Sequence, residues 1–481
     1  MFRRIELPNT IEFVFGSVIW LSTIAGIFLI ENVNAILLLF VPLVFFIIFI
    51  YIARSYKYFE FPGMFVFNII CLVRYVVIPI LILLDRNYID NGMLYEGIKL
   101  MLYEELVVGF FLVYITQNHY KKLKKKSKEG KRLTNINTEV GFAFKIIAVC
   151  GVLITLTNPS SLNQYNILFF SDTVNVFEYG KYVSGISGTV LNLSKFTVPL
   201  VLISYLARKN CEKQNALYYY VALIIIISFN LFIFKGVSRN SVVLPGVASL
   251  FFIARIFPDR RKQTFLIFSL AIFVVVFMLT VIKNSYLGAN SAFSLSGFTR
   301  YLESYFVGPR QLGYALQANR VMNDSFSVKT LLNDIFANAP GLSRWFDLNE
   351  RTTTYYNMVI YNWGKSRDAI IPTIGQGLFY FGYVFSIIPE LIFIRLMLVF
   401  DKKYFESNDI ESVFFLAYFA VRFGNNFVQN VSILFGFVFS LIIPVSLLLW
   451  LNNNVKIKSK NKVTRKYEGG NRDEKDSFCS Q

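Results

Sequence analysis

Apolar runs about as long as a bilayer is thick recur from one end of this chain to the other, and they leave it few ways to fold. A helix needs roughly 20 apolar residues to cross about 30 Å of hydrocarbon. Only helices and closed barrels satisfy every backbone polar group there. Twelve runs fall near residues 11–30, 34–53, 62–84, 94–116, 141–157, 183–207, 217–234, 242–257, 264–283, 372–400, 411–429 and 432–451. They predict an all-α polytopic membrane protein with about a dozen transmembrane helices. Composition agrees: the 481 residues are 55% hydrophobic and 16% charged, where a soluble domain carries about 25% charged residues. The many Phe and Tyr suit a lipid-facing surface with interfacial belts.

The connections set the expected topology, because Lys and Arg concentrate in cytoplasmic loops. Even-numbered connections hold Arg54 and Lys57; Lys121, Lys122, Lys124, Lys125, Lys126, Lys128, Lys131 and Arg132; Arg208, Lys209 and Lys213; Arg255, Arg260, Arg261 and Lys262; and Lys402 and Lys403. The tail from 453 to 481 is also basic. Short odd-numbered connections are nearly free of cations, with Arg86 and Lys181 almost alone. Both termini are therefore expected in the cytoplasm. The net charge of +18 belongs to this topology signal rather than to nucleic-acid binding. Arg3 and Arg4 precede a first run long enough to stay as an anchor, and no cleavable signal is evident.

One connection breaks the alternation. Residues 284–371 fall outside by parity, yet carry Arg300, Arg310, Arg320, Lys329, Arg344, Arg351, Lys365 and Arg367. Long loops translocate regardless of charge, so this basicity calls for another reason. Leu331, Leu332, Ile335 and Phe336 are spaced for one face of a short helix, and Phe298, Tyr301, Leu302, Tyr305 and Phe306 for another. The expected organisation is helices 1–9 over 1–283, an extracytoplasmic cap with short interfacial helices over 284–371, helices 10–12 over 372–452, and the basic tail.

Several chemistries are excluded. His119 is the sole histidine and sits beside the lysine cluster, which rules out an outer-face Ser-His-Asp triad or a His-based zinc site. No P-loop occurs. The four cysteines, Cys71, Cys150, Cys211 and Cys479, are scattered without metal or disulfide spacing. No cofactor or metal is expected.

Outer-face cations with a few carboxylates remain: Glu303, Asp324, Asp334, Asp347, Glu350 and Asp368. The turn Lys235-Gly236-Val237-Ser238-Arg239 places two cations at a tight outer turn. They read either as an anion site or as side chains snorkelling to the interface. The stretch Lys365-Ser366-Arg367-Asp368 stands just before a run opening with Gly375, Gly377 and Gly382. It reads as a site for an anionic headgroup or as a structural ion pair at a loop end. Within the runs, Arg74, Lys145, Lys195 and Arg422 stand out. A mid-bilayer cation costs about 2.5–3.5 kcal/mol on insertion scales, so it usually faces a cavity or a partner. Arg422, followed by Asn425 and Asn426, is the foremost intramembrane candidate.

The turn ending in Ser238-Arg239, the large late outer loop, and Gly375-Gln376-Gly377-Leu378-Phe379 running into Phe381-Gly382 resemble the Wzy-type oligosaccharide repeat-unit polymerases of bacterial O-antigen and capsule synthesis. Members often carry an acid between the two small residues; here Gln376 stands there and is given no base role. The resemblance implies a GT-C-like membrane glycosyltransferase at the outer face of the cell membrane. It would transfer a growing glycan from undecaprenyl diphosphate onto a new lipid-linked unit, alongside a flippase and a chain-length regulator of the same pathway. It would use no ATP or nucleotide sugar directly. On that reading Arg239, Arg310, Arg367 and Arg422, with Lys235, Arg300 and Arg344, contact diphosphate and sugar. Asp368 is the general base, with Glu303 in reserve. The alternatives are a flippase for lipid-linked oligosaccharides and an O-antigen ligase. A flippase is expected to show two similar halves without so large a basic outer domain, and ligases typically use an outer-face histidine.

Overall fold

A computed structural model describes residues 37–53, 61–85, 88, 92–128, 136–167, 185–213, 216–234, 240–272, 274, 295–322, 328–336, 338–339, 342, 345–346, 350–362 and 369–454. Among these the protein is almost entirely helical. The strands form one antiparallel pair, Asn166–Ile167 against Ile233–Phe234. Three helices are long and apolar enough to cross a membrane: Pro62–Leu84, Ser187–Leu206 and Val431–Asn454. A fourth span is reached if the bent pair Thr373–Phe385 and Ile388–Glu406 counts as one. Shorter apolar helices cover Leu37–Ile48, Phe142–Thr157, Leu217–Phe232 and Asn240–Ile256. These helices mark the chain as a helical membrane protein. The run expected over 11–30 lies outside the described residues.

The apolar run at 372–400 reads as a single span, but the chain bends by 109° between Phe385 and Ile388. The bend follows from glycine. A Cβ on Gly377 would lie 1.8 Å from the Ser386 carbonyl oxygen, so only glycine lets the chain fold back this closely. Gly382 supplies the non-helical link, at φ 70° and ψ −175°, a region that side chains with a Cβ avoid.

The chain packs as two compact units. The first comprises 1–132, 288–399 and 420–436. Its core gathers Leu38, Ile78, Ile82, Leu83, Leu94 and Ile98 around Tyr88, with Leu302 and Phe306 packed against it. Helix Pro309–Met322 lies on helices Leu94–Lys128, Thr352–Ile360 and Thr373–Phe385. The second unit comprises 133–287, 400–419 and 437–481. It is built on aromatic contacts: Phe144 stacks on Phe415 at 5.5 Å, Phe252 meets Phe414 edge-on at 5.2 Å, and Tyr418 meets Phe437 at 5.4 Å. Lipid tails are as apolar as the side chains, so helix association there rests on close packing and polar contacts. Aromatic pairs add about 0.5–1.5 kcal/mol each.

The two amphipathic helices expected in the long connection are present as Leu295–Phe306 and Val328–Phe336. Each buries polar side chains and exposes part of its apolar face. The first buries Thr299 and Glu303 and leaves Leu295, Phe298 and Tyr305 exposed. The second buries Thr330, Asn333 and Asp334, and its Val328 is 71% exposed. Apolar faces turned outward belong at a lipid interface. The inward polar faces carry the two carboxylates that organise the site.

Candidate functional site

The first carboxylate, Glu303, is fully buried at the turn between helices Leu295–Phe306 and Pro309–Met322. The turn closes with Val307 at φ 56° and the Gly308 N–H donating to the Glu303 carbonyl at 2.8 Å. Pro309 opens the next helix, leaving the Arg310 N–H as its first free donor. The Glu303 side chain accepts that N–H at 2.8 Å, the Arg310 guanidinium at 3.5 Å, and the Tyr88 hydroxyl at 3.1 Å on both oxygens. Arg310 also lies over the Tyr88 ring at 5.6 Å. Burial pushes the Glu303 carboxyl above the ordinary range, offset in part by the Arg310 guanidinium and these hydrogen bonds, with Arg300 adding a smaller pull. Arg300 and Arg310 each keep a buried Nε with no hydrogen-bond partner among the described residues.

The second carboxylate, Asp334, is also fully buried. Its Oδ2 accepts from the Tyr380 hydroxyl at 2.7 Å, the Thr352 hydroxyl at 2.7 Å and the Thr352 N–H at 3.4 Å; its Oδ1 accepts from Ser432 at 3.2 Å. The direction of these bonds is set one residue away. The Val431 N–H donates to Gln376 Oε1 at 2.5 Å, so the Gln376 amide nitrogen faces Thr352 and donates to its hydroxyl at 2.7 Å. The Thr352 hydroxyl must then give its own proton to Asp334. Such an environment suits an ionised, acceptor-only carboxylate, while burial raises its pKa and the hydrogen bonds from Tyr380, Thr352 and Ser432 offset part of the rise. A carboxylate whose pKa is raised by burial is better able to take up a proton than an ordinary one.

Arg351 stands at the start of helix Thr352–Ile360, half-buried; burial pulls its guanidinium below the ordinary range, and the Asp334 carboxylate offsets part of that. One guanidinium nitrogen donates to Asn338 at 3.3 Å, while its Nε is buried without a hydrogen-bond partner among the described residues. Tyr356 on the same helix donates to Gln311 Oε1 at 2.7 Å, which ties the helix carrying Arg310 to the helix that follows Arg351.

A third feature lies between helices Ile410–Gly424 and Val431–Phe437, where the chain leaves the α-helical path as Asn425-Asn426-Phe427-Val428-Gln429-Asn430. The Thr373 hydroxyl reaches the Asn426 and Gln429 carbonyls at 3.1 and 2.9 Å. Asn430 caps the following helix, accepting the Ile433 N–H at 2.7 Å. The half-buried Arg422 stands one helical turn before the break.

Of the residues singled out in the sequence, the structure brings Glu303, Arg300 and Arg310 together and places Arg422 beside the polar break. Lys235, Arg239, Arg344, Arg367 and Asp368 lie outside the described residues. The intramembrane Arg74 is fully buried and paired with Glu104 of a neighbouring helix at 2.5 Å. Gln376, set aside as a base, is a bridge between Thr352 and Val431. Sequence reasoning gave Asp334 no role and passed over Arg351 and Tyr380. The available signal was Thr330, Asn333 and Asp334, a polar face at helical spacing in a helix of a basic loop. No protein-family model, curated protein or solved structure matches the chain.

Proposed function

We propose that the protein is a polysaccharide polymerase of the bacterial cell membrane, acting at the outer face on undecaprenyl-diphosphate-linked oligosaccharide repeat units. The observation that carries this reading is that the connection over 284–371 holds guanidinium groups with buried Nε donors that lack hydrogen-bond partners among the described residues, and a buried acid, Asp334, that accepts a hydrogen bond from Tyr380 of the next helix. About a dozen spans, a GT-C-like arrangement and cytoplasmic termini belong to the same proposal, as do a flippase and a chain-length regulator as partners.

The chemistry runs as a displacement. The acceptor sugar hydroxyl attacks the anomeric carbon of the growing chain, the bond from that carbon to the diphosphate oxygen breaks, and undecaprenyl diphosphate leaves. Arginine is matched to that leaving group because its planar fork stays charged and binds phosphate oxygens bidentately. Arg351, Arg310 and Arg300 are suited to it, with Arg239, Arg367 and Arg422 as further candidates. The hydroxyl proton passes to Asp334 by way of Tyr380, the half-buried member of the pair. In this scheme Glu303 positions Arg310, accepting its N–H and guanidinium together with the Tyr88 hydroxyl, and it stays in reserve as the base.

Deleting the gene and running surface glycan on a gel tests the class: single repeat units exposed outside are expected. Asp334→Asn and Arg351→Ala should reproduce that pattern while inserting normally, with polymerisation slowed at least about 100-fold for a lost base. Long polymer from the deletion strain would end the proposal.

One observation favours a transporter as the second reading. Arg74, Glu104, Glu105 and Glu390 are all buried within apolar helices, with Glu390 against Glu104. Both Glu105 carboxylate oxygens lack hydrogen-bond partners among the described residues. Buried intramembrane charge often marks an ion or proton path. A flippase would leave the repeat units trapped inside the cell in the same deletion experiment.

A further inference from the structure

We infer that the side-chain amides of Asn425, Asn426 and Gln429 form a recognition subsite for an uncharged, hydroxyl-rich ligand, a sugar residue of the glycan. This rests on the polymerase reading for its biological substrate, but the recognition chemistry stands on its own geometry.

The polar groups of the break divide into two sets. One set is consumed by the fold. Asn430 caps the next helix, Gln376 holds the Val431 N–H, and Thr373 holds the Asn426 and Gln429 carbonyls. Phe427 anchors the same stretch, 5.1 Å from the Phe67 ring and 4.8 Å beneath the Arg74 guanidinium. The other set is left over. Asn425 Nδ2, both amide atoms of Asn426 and both of Gln429 have no hydrogen-bond partner among the described residues. These residues are 4%, 0% and 1% exposed.

Buried amides without partners disfavour folding, and apolar residues of the same shape would be better tolerated. Three such residues within five positions therefore indicate a requirement other than stability. Each primary amide offers two donors and an acceptor, and a sugar hydroxyl is both donor and acceptor. Residues 425–430 contain no charged residue, so this stretch by itself selects for neutral groups. Anionic phosphate has better partners in the arginines, which divides recognition of a lipid-linked saccharide between amides for the sugar and guanidinium groups for the diphosphate.

The test uses the full-length protein in nanodiscs. Glucose, galactose and N-acetylglucosamine are the neutral probes, followed by saturation-transfer NMR, and inorganic pyrophosphate is the anionic probe, followed by calorimetry. The wild type should bind at least one sugar. Asn426→Leu and Gln429→Met should weaken that binding at least ten-fold, keep pyrophosphate binding, and raise the ligand-free melting temperature. Asn430→Ala, which removes a cap, should lower it. The inference is overturned if no sugar binds the wild type, if sugar binding survives both substitutions, or if both substitutions lower the melting temperature. Loss of sugar binding in the variants, with long polymer persisting in the deletion strain, would keep the subsite and end the polymerase reading. Variants that polymerise and bind sugar normally, with single units in the deletion strain, would do the reverse.

Discussion

At the scale of single residues, the site turns on how donors are arranged around buried acids. Asp334 must be ionised to take a proton, so polymerisation should rise with pH through its pKa. Burial sets that acidic limb above the ordinary carboxylate range. Tyr380 and Ser432 donate to the ionised form. Removing the second of these bonds by Ser432→Ala therefore disfavours the anion and moves the limb to higher pH. A hydrogen bond to a charged group contributes about 1.5–3 kcal/mol, enough for the displacement to be resolved. A pH–rate profile measured on purified protein with lipid-linked repeat units reads this directly. A limb that stays in place or moves down would remove Asp334 from the base role. The reach of sequence reasoning also shows at this scale. Arg310 and Glu303 could be named as a cation and an acid of the outer loop. That Glu303 is committed to the Arg310 N–H and guanidinium depends on the Val307-Gly308 turn, whose geometry does not follow from residue types.

At the scale of elements, helical periodicity located Leu295–Phe306 and Val328–Phe336 within a connection otherwise without apolar runs. Periodicity reports which positions share a face and is silent on which environment that face meets. In water the apolar face would turn inward; here Thr299, Glu303, Asn333 and Asp334 face inward while Leu295, Phe298 and Val328 are exposed. If the outward faces rest at the lipid boundary, Phe298→Trp and Val328→Trp should be quenched strongly by brominated lipids in nanodiscs, and Thr330→Trp on the inward face hardly at all. Equal quenching at all three positions would count against an interfacial setting. The bent pair teaches a related lesson. Gly375, Gly377 and Gly382 are plain in the sequence, yet the apolar run through 372–400 shows no bend because hydropathy carries no information on backbone direction.

At the scale of the whole molecule, topology makes the proposal testable without knowing any sugar. A single cysteine placed at Arg320, in a background with Cys71, Cys150, Cys211 and Cys479 replaced by serine, should react with a membrane-impermeant maleimide on intact spheroplasts. One placed at Lys125 should react only after permeabilisation. The reverse pattern would invert the orientation and put the arginine–carboxylate clusters on the wrong side for an outer-face enzyme.

The sequence alone determined that this chain is a helical membrane protein, that its basic connections alternate, and that one long connection carries arginines against the trend. Those properties are sums over many residues of transfer free energy and charge, so they survive without knowledge of contacts. Only the tertiary structure decided which side chains surround each acid. Asp334 meets Thr352, Tyr380 and Ser432 across 18, 46 and 98 positions, and Gln376 reaches Val431 across 55. Pairings at such separations depend on how the helices pack against one another, which neither the hydropathy of a run nor its helical period reports.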